Sequence, residues 1–108
     1  MKVEERLREL GVKLPEPGKP LAAYVPYVRT GNLVFISGQV CTVNGELRYK
    51  GKVGEDVTEE QAYEAARIAA INLLAILKSA VGDLDKVKKI VNVHGYVNSA
   101  KGFVRHPM

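Results

Sequence analysis

The chain has 108 residues, 46% of them hydrophobic, with 16 basic and 12 acidic side chains and a formal net charge of +4. That composition describes a globular protein rather than a disordered one, and the length gives one small domain, residues 1–108, whose modest core assembly would help to stabilise. It excludes a membrane span, since no apolar run approaches the ~20 residues required, and a charge that is spread and interleaved with acids argues against a nucleic-acid surface.

Residues 2–10 read as a short helix, with Val3, Leu7 and Leu10 on one face and Gly11 placed to stop it. The charge of this segment rules out a signal peptide. Leu14-Pro15-Glu16-Pro17-Gly18-Lys19-Pro20 follows as an extended connector, because its prolines exclude both helix and central strand. Residues 24–29 and 32–40 read as two strands joined by a tight turn at Thr30-Gly31-Asn32. The second is apolar on both faces, Leu33 and Phe35 on one and Val34 and Ile36 on the other. Both faces are therefore expected to be covered, one by a helix and the other by another layer such as a second subunit. Asn44-Gly45 signals a hairpin with a type I′ turn, and residues 50–55 form a glycine-bearing loop.

The clearest helix spans residues 59–81. Thr58 is its N-cap, Gln61 completes a capping box, Val57 is placed as a hydrophobic staple and Gly82 ends it. Ala62, Ala65, Ala66, Ala69, Leu73, Ile76, Leu77 and Ala80 form its apolar stripe, while Asn72 lies on the second face in a structural role. Residues 87–97 alternate as a strand, with Val91, Val93 and Val97 on one face and Ile90, Asn92, His94 and Tyr96 on the other. A loop follows at 98–102, and Phe103 is placed to start a further helix.

The chain has no metal signature: His94 and His106 lack Cys or carboxylate partners at ligand spacing. The loop Gly51-Lys52-Val53-Gly54 lacks the spacing of a phosphate-binding loop, so its glycines serve turns. The lone cysteine, Cys41, cannot form an internal disulfide, which fits a reducing cytoplasm. It reads as a buried inert thiol, since no sequence feature places a histidine beside it. Ser37 lacks the flanking pattern of a hydrolase nucleophile. It reads either as a small polar residue closing a strand or as a hydroxyl that hydrogen-bonds a substrate or a water. Tyr27 is a half-buried sheet residue or a pocket wall with a polar tip. Arg29 is a solvated strand-end cation or a two-pronged carboxylate ligand.

Leu14-Pro15, Tyr24-Val25-Pro26-Tyr27, Gly31-Asn32-Leu33-Val34-Phe35, Ser37-Gly38-Gln39, Gly51-Lys52-Val53-Gly54, Ala65-Ala66-Arg67, Asn72-Leu73-Leu74, Gly82-Asp83-Leu84-Asp85 and Val97-Asn98-Ser99-Ala100 follow one another along the chain, and in these segments and their order the chain resembles the Rid/YjgF family of reactive-intermediate deaminases. The resemblance, to the branch with a longer N-terminus, covers nearly the whole chain. It implies an α+β, chorismate-mutase-like fold, a mixed sheet with helices packed on one face, assembled as a homotrimer with pockets between subunits. It implies hydrolysis of 2-imino acids or their enamine tautomers to 2-keto acids and ammonia, with no cofactor. By position Tyr27 and Ser37 resemble the family's pocket tyrosine and serine, Gly38 and Gln39 extend the same strand end, and Arg29 is the candidate cation. The family's carboxylate-binding arginine and water-activating glutamate lie beyond Met108, with its last helix and two strands, and Arg105 is not their equivalent. Catalytic residues are therefore unassigned. The alternatives are a non-catalytic small-acid-binding or regulatory trimer and, third, an endoribonuclease, a label attached to the family that the mild charge disfavours.

Overall fold

The computed structural model describes residues 2–16 and 25–107. Its elements run α1 (Lys2–Glu9), β1 (Tyr27–Thr30), β2 (Leu33–Ile36), β3 (Thr42–Val43), β4 (Glu46–Leu47), α2 (Glu59–Val81) and a 3₁₀ turn (Leu84–Lys86). Tyr24 and residues 17–20 of the proline connector, both expected to be extended, lie outside the described residues.

α2 begins and ends where its capping residues dictate. Thr58 Oγ1 accepts from the Gln61 amide at 3.1 Å, and Gln61 Oε1 accepts from the Thr58 amide at 3.0 Å. This closes the capping box and satisfies two amides that helix geometry leaves unpaired. Glu59 and Glu60 add negative charge at the positive end of the helix. At the other end Gly82 takes φ +83 and its amide donates to the Lys78 carbonyl at 2.7 Å.

β1 and β2 form an antiparallel hairpin that pairs Tyr27 with Ile36, Val28 with Phe35, Arg29 with Val34 and Thr30 with Leu33. α2 packs against the face carrying Val34 and Ile36, which are half-buried. The opposite face was expected to be covered as well. Instead Leu33 and Phe35 are 46% and 58% exposed, because the one helical layer covers a single face and no described element lies over the other. β3 and β4 form a second antiparallel pair. Asn44 and Gly45 both take positive φ, 53° and 82°, as the expected type I′ turn demands.

The core is small: Cys41, Val53, Val57, Ala75, Ile76, Leu77 and Leu84. Its helical members lie in the C-terminal half of α2, so Ala75 is buried there while Ala66, placed in the expected stripe, is exposed; Val53 and Val57 are buried ahead of the helix start. The N-terminal helix α1 docks on the 3₁₀ turn. The Asp85 carboxylate accepts from the Lys2 and Val3 amides at 2.7 and 2.8 Å, in the manner of an N-cap supplied from a distant turn. Lys78 Nζ meets Glu4 Oε1 at 2.8 Å alongside.

Residues 87–97, expected as a strand, form no ladder. No amide of residues 88–97 donates to a described backbone group. Both faces of the alternation are open, with Ile90, Val91, Val93 and Tyr96 between 59% and 92% exposed. Alternation supplies strand potential, but a ladder also needs a partner edge about 4.8 Å away, and no described strand offers one here. The segment is tied down at its first residue, where the Val87 amide donates to the Leu84 carbonyl, and again beyond its end: the Val53 amide donates to the Asn98 carbonyl, and the Ala100 amide to the Val53 carbonyl. Phe103 starts no helix; a turn at Lys101 and Gly102 precedes it and irregular chain follows.

Candidate functional site

Ser37 sits just past β2, and the chain fixes it twice. Its amide donates to the Pro26 carbonyl at 2.9 Å and its hydroxyl to the Val25 carbonyl at 2.5 Å. The hydroxyl proton is therefore committed, and its oxygen remains an acceptor. Gln39 folds back so that Nε2 donates to the Ser37 carbonyl at 3.3 Å. Its Oε1 has no described partner.

Gly38 and Gln39 line an open groove of about 1280 Å³ between α2 and the β3–β4 hairpin. The floor on α2 is Ile68, Ile71, Ala75 and Ile76, and Val40 and Val43 face it. Asn72 holds the two walls together: its Nδ2 donates to the Val40 and Thr42 carbonyls, each at 3.0 Å. Its expected structural role is therefore a tie between helix and hairpin.

The structure brings Ser37, Gly38 and Gln39 to one strand end, with Tyr27 beside them through its pairing with Ile36. Arg29 stands apart. It is exposed, lies two residues further toward the hairpin turn, roughly 7 Å along the strand, and like Tyr27 and Ser37 is not among the groove residues. The groove instead presents Lys13, Arg48 and Arg67, with Glu16 and Glu64 among them, none of which sequence reasoning singled out. Arg48 has no hydrogen-bond or ion-pair partner among the described residues. Arg67 has only Glu64, at 3.9 Å and half exposed. Arg67 was detectable as the residue one turn ahead of Ile71 on α2. Arg48 carried no signal, because its side of the hairpin follows from a register that only the Asn44-Gly45 turn sets.

Two other clusters are less suited to chemistry. Ser99 Oγ and His106 Nε2 are 2.9 Å apart, and Phe103 meets the His106 ring edge-on at 5.0 Å. No described carboxylate orients the imidazole as an acyl-transfer site requires. Cys41 is buried with Sγ 3.6 Å from the Tyr49 carbonyl oxygen and no described histidine against it, in keeping with an inert thiol. Arg105 pairs with Glu59 at 2.9 Å, at the first turn of α2. Among the described residues no group of three or more His, Cys, Asp or Glu is placed to hold a metal, and no helix is long and apolar enough to cross a membrane.

The hairpin, the long helix behind it and the small-residue strand end define an α+β chain of chorismate-mutase-like type. It belongs to the family described as "YjgF/chorismate mutase-like, putative endoribonuclease", which matches residues 4–108. A crystal structure from Shewanella oneidensis MR-1, described as a putative endoribonuclease, superposes with a TM-score of 0.91 at 38% identity, over 96% of this chain and 69% of that one. Protein Atu1372 of Agrobacterium tumefaciens, of unknown function, superposes with a TM-score of 0.85 at 39% identity, over 97% and 63%. Protein TCP17 of Trypanosoma cruzi is 34% identical over 102 residues, which are 94% of this chain and 64% of that protein. The chain thus spans less than two thirds of TCP17.

Proposed function

We propose that this chain binds small 2-imino and 2-keto acids at the strand end formed by Ser37, Gly38 and Gln39. In the assembled protein it hydrolyses the imines to 2-keto acids and ammonia. The observation that carries the reading is the fixed strand end itself: an acceptor oxygen on Ser37, followed by Gly38 and Gln39, which line the groove and leave the Gln39 amide oxygen open. Tyr27 lies next to them as a wall with a polar tip. The reaction asks little else of the protein. Water adds to the imine carbon, the C–N bond of the resulting carbinolamine breaks, and nitrogen leaves as ammonia. The imine is already electrophilic, so positioning a water is the main demand, and water is the only co-reactant.

The same reading includes a cytoplasmic homotrimer. It is supported by the uncovered sheet face, where Val28 and Phe35 stand opposite each other and more than half exposed. Such a pair of apolar side chains gains by burial against another copy.

The test is a coupled assay in which a dehydratase generates 2-aminoacrylate or 2-iminobutanoate and keto-acid release is followed with and without the chain. Acceleration is expected. Unchanged release, together with binding of 2-oxobutanoate seen by NMR, would leave a non-catalytic binding protein. Absence of both would sink the reading. A second reading, RNA cleavage, is favoured by the description of the Shewanella relative. It requires phosphate contacts and so a strong salt dependence, and an RNA-degradation assay between low and physiological salt decides it.

A further inference from the structure

We propose that the groove between α2 and the β3–β4 hairpin binds amphipathic organic monocarboxylates. Arg48 and Arg67 hold the carboxylate, and the isoleucine row of α2 holds the tail. This goes beyond the imine reading, since it concerns a longer ligand and requires no turnover.

Three observations converge on it. The first is the state of the cations. Arg48 has no partner among the described residues, and Arg67 has a single long contact to Glu64. Glu16 and Glu64 also line the groove, yet neither makes a short contact with these guanidinium groups, whose paired donors are matched to a carboxylate. The second is how they are placed. The Arg48 amide donates to the Cys41 carbonyl at 3.0 Å, which pins its backbone to the hairpin. Asn72 ties that hairpin to α2, five residues beyond Arg67. The two cations thus rise from opposite walls whose spacing the fold sets. The third is the wall itself. Ile68, Ile71 and Ile76 all line the groove, and the stretch from the first to the last is roughly 12 Å long at ~1.5 Å per residue, room for a tail of about six to eight carbons. A neutral apolar ligand would leave the arginines unanswered, and a short hydrophilic anion would leave the isoleucines wet. An acid with a tail answers both.

The experiment titrates octanoate into the full chain and follows binding by calorimetry and by the methyl NMR signals of its isoleucines. Octanoate is expected to bind, to shift Ile68, Ile71 and Ile76, and to leave Ile90 in place. 1-Octanol is expected to bind at least about tenfold more weakly, and R48Q and R67Q each to lose about tenfold in affinity. K88Q, which removes the same charge from a lysine outside the groove, is the control for net charge and should bind as the parent does. Thermal melts of each variant show that the fold survives. The proposal is overturned if octanoate does not bind, if octanol binds as well, if K88Q weakens binding as much as R48Q, or if Ile90 shifts with the other isoleucines. A chain that hydrolyses imines yet fails these arms keeps its proposed function and loses this site. A chain that passes them without turnover does the reverse.

Discussion

Asn72 shows how one amide can determine the shape of a site. Its two N–H groups serve carbonyls on the hairpin, so removing them leaves acceptors short of a donor and frees the groove wall. Asn72→Ala is expected to cost about 1–2 kcal/mol in denaturant unfolding. Asn72→Asp should cost at least as much although it keeps the shape, because a carboxylate has no proton to donate. A milder effect for Asp than for Ala would refute the tie. Gly51 is a second position where one atom decides. Its φ is +117°, and an added Cβ would run into the Asp56 side chain, whose Oδ2 accepts from the Lys52 amide at 3.1 Å. Gly51→Ala should therefore destabilise by about 1–3 kcal/mol, read as a drop of several degrees in Tm. Sequence alone marked Asn72 as structural and Gly51 as a turn residue. It named neither partner, because both partners are set by tertiary contact.

Elements with local instructions were the legible ones. Thr58, Gln61 and Gly82 write the limits of α2 into the chain, and Thr58→Ala should cost about 1 kcal/mol. Gly11 likewise ends α1, taking φ +74, and Asn44-Gly45 sets its own turn. What holds α1 in place was not legible, since Asp85 is more than 80 residues away from the amides it caps. The hydrogen bond from the Val3 amide, followed by that from Lys2, lowers the Asp85 pKa below its usual 3.8. A carboxyl depressed in the folded state contributes stability that is present above the unfolded value and lost as pH falls through the folded one. Docking of α1 should therefore be constant above pH 4 and weaken below it. Asp85→Asn should remove that pH dependence, with amide exchange at Val3 as the readout. Residues 87–97 failed as a strand for the opposite reason. Period-two alternation is local, whereas a ladder is a bond between two segments. The amides of residues 88–97 should exchange freely while those of the buried stretch Ala75, Ile76 and Leu77 stay protected.

For the whole molecule, the sheet face opened by Val28, Leu33 and Phe35 is the feature that assembly must answer. In the proposed trimer that face is internal, so Phe35→Glu should shift the light-scattering mass toward monomer. An unchanged mass would place any interface elsewhere. Apolar residues on both sides of β2 gave notice of two coverings, but a sequence cannot say whether the second comes from its own chain. The same openness bears on the substance in the tube. Residues 90–97, Ile90-Val91-Asn92-Val93-His94-Gly95-Tyr96-Val97, contain no proline and no Lys, Arg, Asp or Glu, and their side chains are exposed. That is the composition from which cross-β fibres nucleate. Lys86, Lys88 and Lys89 stand immediately before it, as gatekeepers whose mutual repulsion keeps neighbouring copies from stacking. Salt that screens those lysines removes the guard. Concentrated stocks of this protein should keep best at low ionic strength, with a thioflavin lag time that shortens as salt is added.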